Sequence, residues 1–238
     1  MNEHYNQEIA RHYSAYRPPL HPMILSYVLS KRRIFLISLD VGCGTGDSAI
    51  ALAKYCEHVY GIEPSAVMLK EVMPHEKITY KQGYGDNLPI FGKSIDVVTF
   101  AGSLFYAKSE LQINELKRVC KPGSVVIPYD FKVRLDDVLH DCGISPQNTK
   151  SSYDHTVNFS DCADFTDRVV NHKQIKLLVA ATELAHILLS SSNWYKEFAD
   201  KYGVSNPFAL LANDLERKRE QYELDVIIYY SKHQITIE

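Results

Sequence analysis

The run Leu39-Asp40-Val41-Gly42-Cys43-Gly44-Thr45-Gly46-Asp47 constrains this chain more than any other segment, because it passes from an apolar strand to a helix through closely spaced glycines. Residues 34–41 are apolar and rich in branched side chains, which predicts a buried central strand, and Ser48-Ala49-Ile50-Ala51-Leu52-Ala53-Lys54 reads as a helix. Glycine in such a turn permits positive φ and lets a ligand approach the backbone closely. The free N–H groups at the helix start are expected to face that ligand.

The spacing separates two ligand classes. A dinucleotide fingerprint, G-x-G-x-x-G, needs glycine where Asp47 stands, whereas this loop reads Gly42-x-Gly44-x-Gly46. Asp47 near the helix N-terminus and Asp40 ahead of Gly42 would compete with a pyrophosphate for the same donors. S-adenosylmethionine removes the conflict, since it has no phosphate and carries an ammonium and a sulfonium. A nicotinamide-dependent oxidoreductase is disfavoured on the same grounds.

Three further segments share a pattern with that loop. Val59-Tyr60-Gly61-Ile62-Glu63-Pro64 is a short apolar strand ending in an acid, and Glu63 follows Asp40 by 23 residues, the span of one helical crossover to a parallel strand. Gln82-Gly83-Tyr84-Gly85-Asp86-Asn87-Leu88-Pro89 follows a strand near residues 78–81, and Ser94 to Ala101 reads as another central strand. With the lead-in Tyr13-Ser14-Ala15-Tyr16-Arg17-Pro18 and the turn Lys121-Pro122-Gly123, this pattern resembles the class I S-adenosylmethionine-dependent methyltransferases of small-molecule type, in particular the trans-aconitate methyltransferase-like ones.

The resemblance implies an α/β fold: a Rossmann-like, seven-stranded, mostly parallel sheet with helices on both faces, an antiparallel last strand, and helical and loop lid elements. It implies S-adenosylmethionine as cofactor, held by Tyr16, Asp40, Gly42, Cys43, Gly44, Gly46, Glu63, Pro64, Gly85, Asp86 and Ala101. Glu63 takes the ribose hydroxyls in this scheme, the alternative being a helix-capping role before Pro64. Tyr84 stands where many relatives carry the aspartate that meets the adenine amino group, so that bond moves to Asp86 or is lost. Asp96 opens its strand, far from the carboxyl ends where ligands gather, and is assigned to structure.

Tyr106 and Asp130 are the candidate catalytic residues. Tyr106 occupies a family position near the cofactor, and Asp130 ends a central strand, as a base or an acceptor-orienting group. Many relatives have histidine and tryptophan where this chain has Phe105 and Tyr106. That departure removes an obvious proton acceptor, leans toward a methyl acceptor that needs none there, and leaves a non-catalytic cofactor-binding module acting through a protein partner as the alternative. Methyl transfer is an in-line displacement, so aligning the acceptor and excluding water supply most of the acceleration. Arg17, Lys132 and Arg134 could bind an acidic substrate, with surface solvation as the other reading. Tyr13, Tyr16, Phe105, Tyr106, Tyr129, Trp194 and Tyr195 are candidate pocket walls or ordinary core.

At 238 residues the chain suits one domain, divided as 1–33 N-terminal cap helices, 34–130 cofactor-binding core, 131–221 substrate-side insertion and helices, and 222–238 closing strand. Within the insertion, residues 143–167 read as a loop-rich lid, 174–179 as a strand, Thr182 as a helix N-cap, and 194–202 and 207–221 as helices. A net charge of −3 without a basic run argues against a nucleic-acid partner and for a small-molecule acceptor. The absence of a long apolar span or signal-peptide layout predicts a cytoplasmic protein without membrane contact. The 5 cysteines are scattered and the histidines lack metal-ligand spacing, so neither disulfide nor metal is expected. Nothing in the sequence sets an oligomeric state.

Overall fold

The computed structural model describes residues 7–16, 18–30, 34–144 and 152–236. Arg17 and the 145–151 part of the expected lid lie outside them. Helices α1 (Gln7–Ala15) and α2 (Leu20–Val28) come first. The chain then alternates β1 (Phe35–Val41), α3 (Asp47–Leu52), β2 (Cys56–Glu63), α4 (Ala66–Leu69), β3 (Ile78–Gln82), β4 (Ile95–Ala101), α5 (Leu104–Ala107), α6 (Glu110–Val119) and β5 (Cys120–Val133). Helix α7 (Asp136–Asp141) leads to β6 (Phe165–Ala180), then α8 (Ala181–Leu189), α9 (Ser192–Tyr202), α10 (Phe208–Lys218) and β7 (Gln221–Ile235).

The strands form one seven-stranded sheet in the order β3-β2-β1-β4-β5-β7-β6. Five are parallel, with Asp40 level with Gly61 and Thr99, Glu63 with Gln82, and Ala101 with Tyr129. Their carboxyl ends therefore finish together, which is where an open α/β sheet presents its ligand crevice. Arg134 N donates to Asp225 O while Ser231 Oγ reaches Pro128 O, so β7 runs antiparallel to β5. Bonds pairing residue 236 with 164 and 225 with 174 make β6 antiparallel to β7. The expected seven-stranded, mostly parallel α/β sheet with an antiparallel last strand is thus present.

Side-chain alternation explains the layers. Leu39 and Val41 of β1 share a core cluster with Leu116 and Val119 of α6, whereas the intervening Asp40 bonds Ser48 of α3. Period-two alternation puts α3 and α6 on opposite faces. Asp96 accepts from Ile37 N at 3.0 Å and from Lys121 Nζ at 2.7 Å, a brace at the sheet's amino end.

The residue contacts divide the chain into two compact units. One comprises 19–131, 153–173 and 228–238, and holds the parallel strands. Its core cluster includes Leu39, Ile62, Val98, Phe100, Phe159 and Phe165. The other comprises 1–18, 132–152 and 174–227, with α1 and α7–α10. There Leu184, Leu188, Phe198, Leu211 and Leu215 pack at helical spacing, and His12 Nδ1 meets His186 Nδ1 at 3.0 Å beside Phe208. Tyr195 and Trp194, expected as pocket candidates, pack in or against this core instead.

Two local expectations are corrected. Helix α8 does not use Thr182 as its cap: the Glu183 carboxylate accepts from Ala180 N at 2.7 Å, so the cap falls two residues earlier, at Ala180. The strand expected at 174–179 begins at Phe165, because Phe165 stacks on Phe159 and pulls the end of the supposed lid into the sheet.

Candidate functional site

The glycine loop uses its own donors. Gly42 N and Cys43 N both donate to Ile62 O, at 2.7 and 3.1 Å, Gly44 N donates to Glu63 Oε2 at 3.0 Å, and Gly46 N donates to Cys43 O at 2.9 Å. The loop is thus stitched to β2 and these four amides are spent on protein oxygens, while the start of α3 carries no side-chain cap. Glycine is needed for packing as well. At Gly42 (φ +71°) a Cβ would stand 2.5 Å from Ser103 Cβ, and at Gly46 (φ +96°) it would stand 2.4 Å from the Tyr80 hydroxyl. Ser103 Oγ in turn donates to Val41 O at 2.5 Å, tying the end of β4 to the loop.

Beside the loop lies a cavity of about 390 Å³ lined by Val41, Gly42, Ile62, Glu63, Pro64, Gly83, Tyr84, Gly85, Asp86, Ser103, Tyr106, Ala107 and Ser109. It brings together six of the sequence-predicted residues: Gly42, Glu63, Pro64, Gly85, Asp86 and Tyr106. Asp40, Cys43, Gly44, Gly46 and Ala101 are not among its lining residues. Tyr16 belongs to the other compact unit, where it packs against the helical core.

Glu63 Oε1 accepts from Ser65 N at 2.9 Å and Oε2 from Gly44 N at 3.0 Å, so each oxygen is oriented and keeps one lone pair for a ligand. Burial raises its pKa, and the two backbone donors oppose the rise. Asp86 sits in a turn closed by Asn87 N donating to Tyr84 O. Arg118 clamps the following chain, donating to Leu88 O and Ile90 O at 2.8 Å and to Glu115. Behind Gly85, the side-chain amide of Gln112 is buried without a hydrogen-bond partner among the described residues.

Asp40 works from beneath. It is fully buried, with Oδ2 accepting from Ser48 Oγ at 2.5 Å and Oδ1 from Thr99 Oγ1 at 2.6 Å. Burial pushes its pKa up to about 6, against the two hydroxyls, with the Glu63 charge adding to the rise. It holds α3 and β4 to β1, and both its oxygens are occupied. Cys43 is buried, and burial followed by the Asp40 and Glu63 charges raises its thiol well above the ordinary range, which removes any nucleophilic role.

Asp130 lies elsewhere, in a small recess with Gly102, Phe105, Tyr153 and His155. Its Oδ2 accepts from the Tyr153 hydroxyl at 2.7 Å and meets His155 Nδ1 at 2.9 Å, while Oδ1 accepts from Phe131 N at 2.7 Å. The sequence offered Asp130 but neither partner, because both sit in the polar segment read as a lid. Of the other candidates, Tyr129 is buried with its hydroxyl 3.0 Å from His21 Nδ1, and Lys132 and Arg134 are exposed. Among the described residues no cluster of three or more His, Cys, Asp or Glu is placed to hold a metal, and no helix is long and apolar enough to cross a membrane.

The donor set of the first cavity fits S-adenosylmethionine. Its ionisable lining is two carboxylates and two tyrosines, with no lysine, arginine or histidine, and the amides of Gly42, Cys43, Gly44 and Gly46 are spent on protein oxygens. A pyrophosphate would find repulsion there, whereas ribose hydroxyls and cationic groups find acceptors. The glycine loop, the acid ending β2 and the parallel sheet together define a class I, S-adenosylmethionine-dependent methyltransferase domain.

Comparison with known proteins gives the same class. Residues 39–127 match the family model of the methyltransferase domain. A demethylmenaquinone methyltransferase of Lactiplantibacillus plantarum is 35% identical over 102 residues, 37% of this chain and 42% of its own length. A provisionally described methyltransferase of Dictyostelium discoideum is 27% identical over 124 residues, 50% of this chain and 46% of its own. The chain thus spans less than half the length of these curated relatives. Among solved structures, a provisionally described type II methyltransferase from Anaeromyxobacter dehalogenans shares the fold at a TM-score of 0.64 and 20% identity, over 94% of this chain and 100% of its own. A Haemonchus contortus N-methyltransferase solved with S-adenosylhomocysteine shares it at 0.55 and 14% identity, over 99% of this chain and 58% of its own.

Proposed function

We propose that this chain is a methyltransferase that moves a methyl group from S-adenosylmethionine to a small-molecule acceptor. The observation that carries the proposal is the cavity at the carboxyl ends of β1 and β2, whose lining carboxylates, Glu63 and Asp86, stand beside a glycine loop with four of its amides bonded to protein oxygens. Glu63 holds the ribose edge, Asp86 and the backbone of Gly83 and Gly85 hold the adenine side, and Tyr106 offers a ring to the cationic end. The bound cofactor supplies a methyl carbon already activated by sulfonium. The protein's task is to align the acceptor and exclude water.

Demethylmenaquinone methyltransferases among the relatives support a small acceptor with a ring. The trans-aconitate-like lead-in at residues 13–18 would instead favour a small carboxylate. The net charge of −3 supports neither a nucleic-acid acceptor nor an anionic surface. Calorimetric titration tests the cofactor: S-adenosylhomocysteine is expected to bind at micromolar or tighter Kd, and reduced nicotinamide dinucleotide not at all. Binding of the dinucleotide, or of neither ligand, would overturn the proposal.

A further inference from the structure

Among the described residues, four buried side-chain atoms lack a hydrogen-bond partner: His12 Nε2, the Tyr80 hydroxyl oxygen, and both Nε2 and Oε1 of Gln112. None of them lines the second large cavity, of about 400 Å³, which opens beside His155 between Tyr129 of β5, His172 of β6 and Tyr229 of β7. His12 belongs to the helical unit, and the Tyr80 hydroxyl faces Gly46. Gln112 differs from both, because it abuts the wall of the first cavity and leaves each end of its amide unused.

The sequence offers this amide a local partner that it does not take. Ser109-Glu110-Leu111-Gln112 opens α6 with the S-x-x-Q pattern of a capping box, in which the serine oxygen accepts from the third helical N–H and the glutamine reaches back to the serine N–H. Only the first half forms, with Ser109 Oγ accepting from Gln112 N at 3.1 Å. The Gln112 side chain is fully buried instead. An amide held this way has given up the hydrogen bonds of water without replacing them, so its surroundings are complete only with a partner that carries both a donor and an acceptor.

Gly85 shows where that partner enters. A Cβ there would meet Val41 Cγ1 at 3.3 Å, Ala107 Cβ at 3.4 Å and Gln112 Cγ at 3.5 Å, and Val41, Gly85 and Ala107 all line the first cavity. Gly85 is not among the glycines with positive φ, so glycine serves here to leave space rather than to permit a turn. The Gln112 amide begins one carbon beyond its Cγ, and turning its last two torsions brings it to the gap that the missing Gly85 side chain leaves. Asp86 is the neighbouring carboxylate on that side of the cavity.

We infer that Gln112 reads the adenine edge of the cofactor, its Oε1 accepting from the exocyclic amine and its Nε2 donating to the ring nitrogen beside it. This rests on the methyltransferase function proposed above and deepens it, by naming a residue that sets which base the cavity takes. Adenine presents a donor and an acceptor side by side, and a carboxamide is their planar complement. Binding supplies the partners that the fold withholds, so removing the amide is expected to move stability and affinity in opposite directions.

The test uses the full chain and calorimetry with two ligands, S-adenosylhomocysteine and its analogue with unsubstituted purine in place of adenine, which lacks only the exocyclic amine. Urea unfolding without ligand runs in parallel. The wild type is expected to bind the analogue about tenfold or more weakly than S-adenosylhomocysteine. Gln112→Met, which keeps the length of the side chain and removes the amide, should weaken S-adenosylhomocysteine about tenfold or more, bring the two ligands within about threefold of each other, and raise the urea midpoint. A residue that only packed would not level the two ligands. Asp86→Asn leaves Gln112 in place and should preserve the difference between them. Undiminished discrimination in Gln112→Met, a fall in its urea midpoint, or levelling by Asp86→Asn alone would overturn the inference while S-adenosylhomocysteine still bound the wild type. Failure of the wild type to bind S-adenosylhomocysteine would instead overturn the methyltransferase function, and the role of Gln112 with it.

Discussion

The two cavities lie in one compact unit yet are built in opposite ways. The cofactor cavity is made by short stretches at the carboxyl ends of neighbouring parallel strands, and its recognition groups are backbone and carboxylates. The His155 cavity is made by residues from 128–129, 155–158, 170–172 and 229–231, and its groups are rings and neutral hydrogen-bonders. The first is held by local bonding, since the amides of all three loop glycines and of Cys43 have near partners. The second depends on a segment pinned from outside by Lys108, whose Nζ reaches Asn158 O at 2.7 Å and Asp161 Oδ1 at 2.5 Å. A cofactor common to a whole class suits the first construction. A ligand particular to one protein suits the second, where sequence can change without disturbing the loop.

The largest expected effect falls on the first cavity alone. Gly46→Ala should cost about 2–4 kcal/mol of stability by combined strain and overlap, and weaken S-adenosylhomocysteine about a hundredfold or more. Because the overlap is with the Tyr80 hydroxyl, which has no partner among the described residues, adding Tyr80→Phe should recover part of both losses. Urea unfolding and calorimetry would check this, and normal cofactor affinity in Gly46→Ala would break the assignment of the loop.

Glu63→Ala comes next. Loss of one or two charged hydrogen bonds should weaken S-adenosylhomocysteine by roughly ten- to a hundredfold in calorimetry. Unchanged affinity would remove the ribose role of Glu63.

Asp40 gives a pH test of the ground beneath the first cavity. Its folded pKa of about 6 lies above its ordinary value of 3.8, so the folded state holds the proton more tightly. The stability this provides is complete below about pH 4 and disappears as pH rises through about 6, a change on the order of 3 kcal/mol. Asp40→Asn should remove that slope, so urea unfolding should find the variant gaining on the wild type from pH 4 to 7. Parallel curves would refute the shift.

The smallest effect is reserved for the second cavity. Lys108→Ala removes an ion pair whose carboxylate is largely exposed, together with a carbonyl contact, and should cost at most about 1 kcal/mol. Urea unfolding would check the size of the loss, and S-adenosylhomocysteine affinity is expected to be unaffected.

Much of the first cavity was legible because its information is local. Gly42, Glu63, Gly85 and Asp86 are each recognisable from neighbours within a few residues, and strand order follows from one repeated crossover. What sequence did not reveal there was bonding: Ile62 O and the Glu63 carboxylate take up the amides of Gly42, Cys43 and Gly44. In the second cavity the same approach yielded Tyr129, with Asp130 in the recess beside it. His155 went unread, because it arrives through a polar segment with no periodic pattern to announce it.

The sequence by itself determined the parallel strands, the glycine turn and the acid ending β2, since period, branching and turn chemistry act over one element and its connection. Only the tertiary structure decided that Asp40 is a buried brace and that Tyr16 packs with the helical core. It alone joined Asp130, Tyr153 and His155, because burial and hydrogen bonding between residues far apart in the chain depend on which strands become neighbours. That choice is made by the whole sheet.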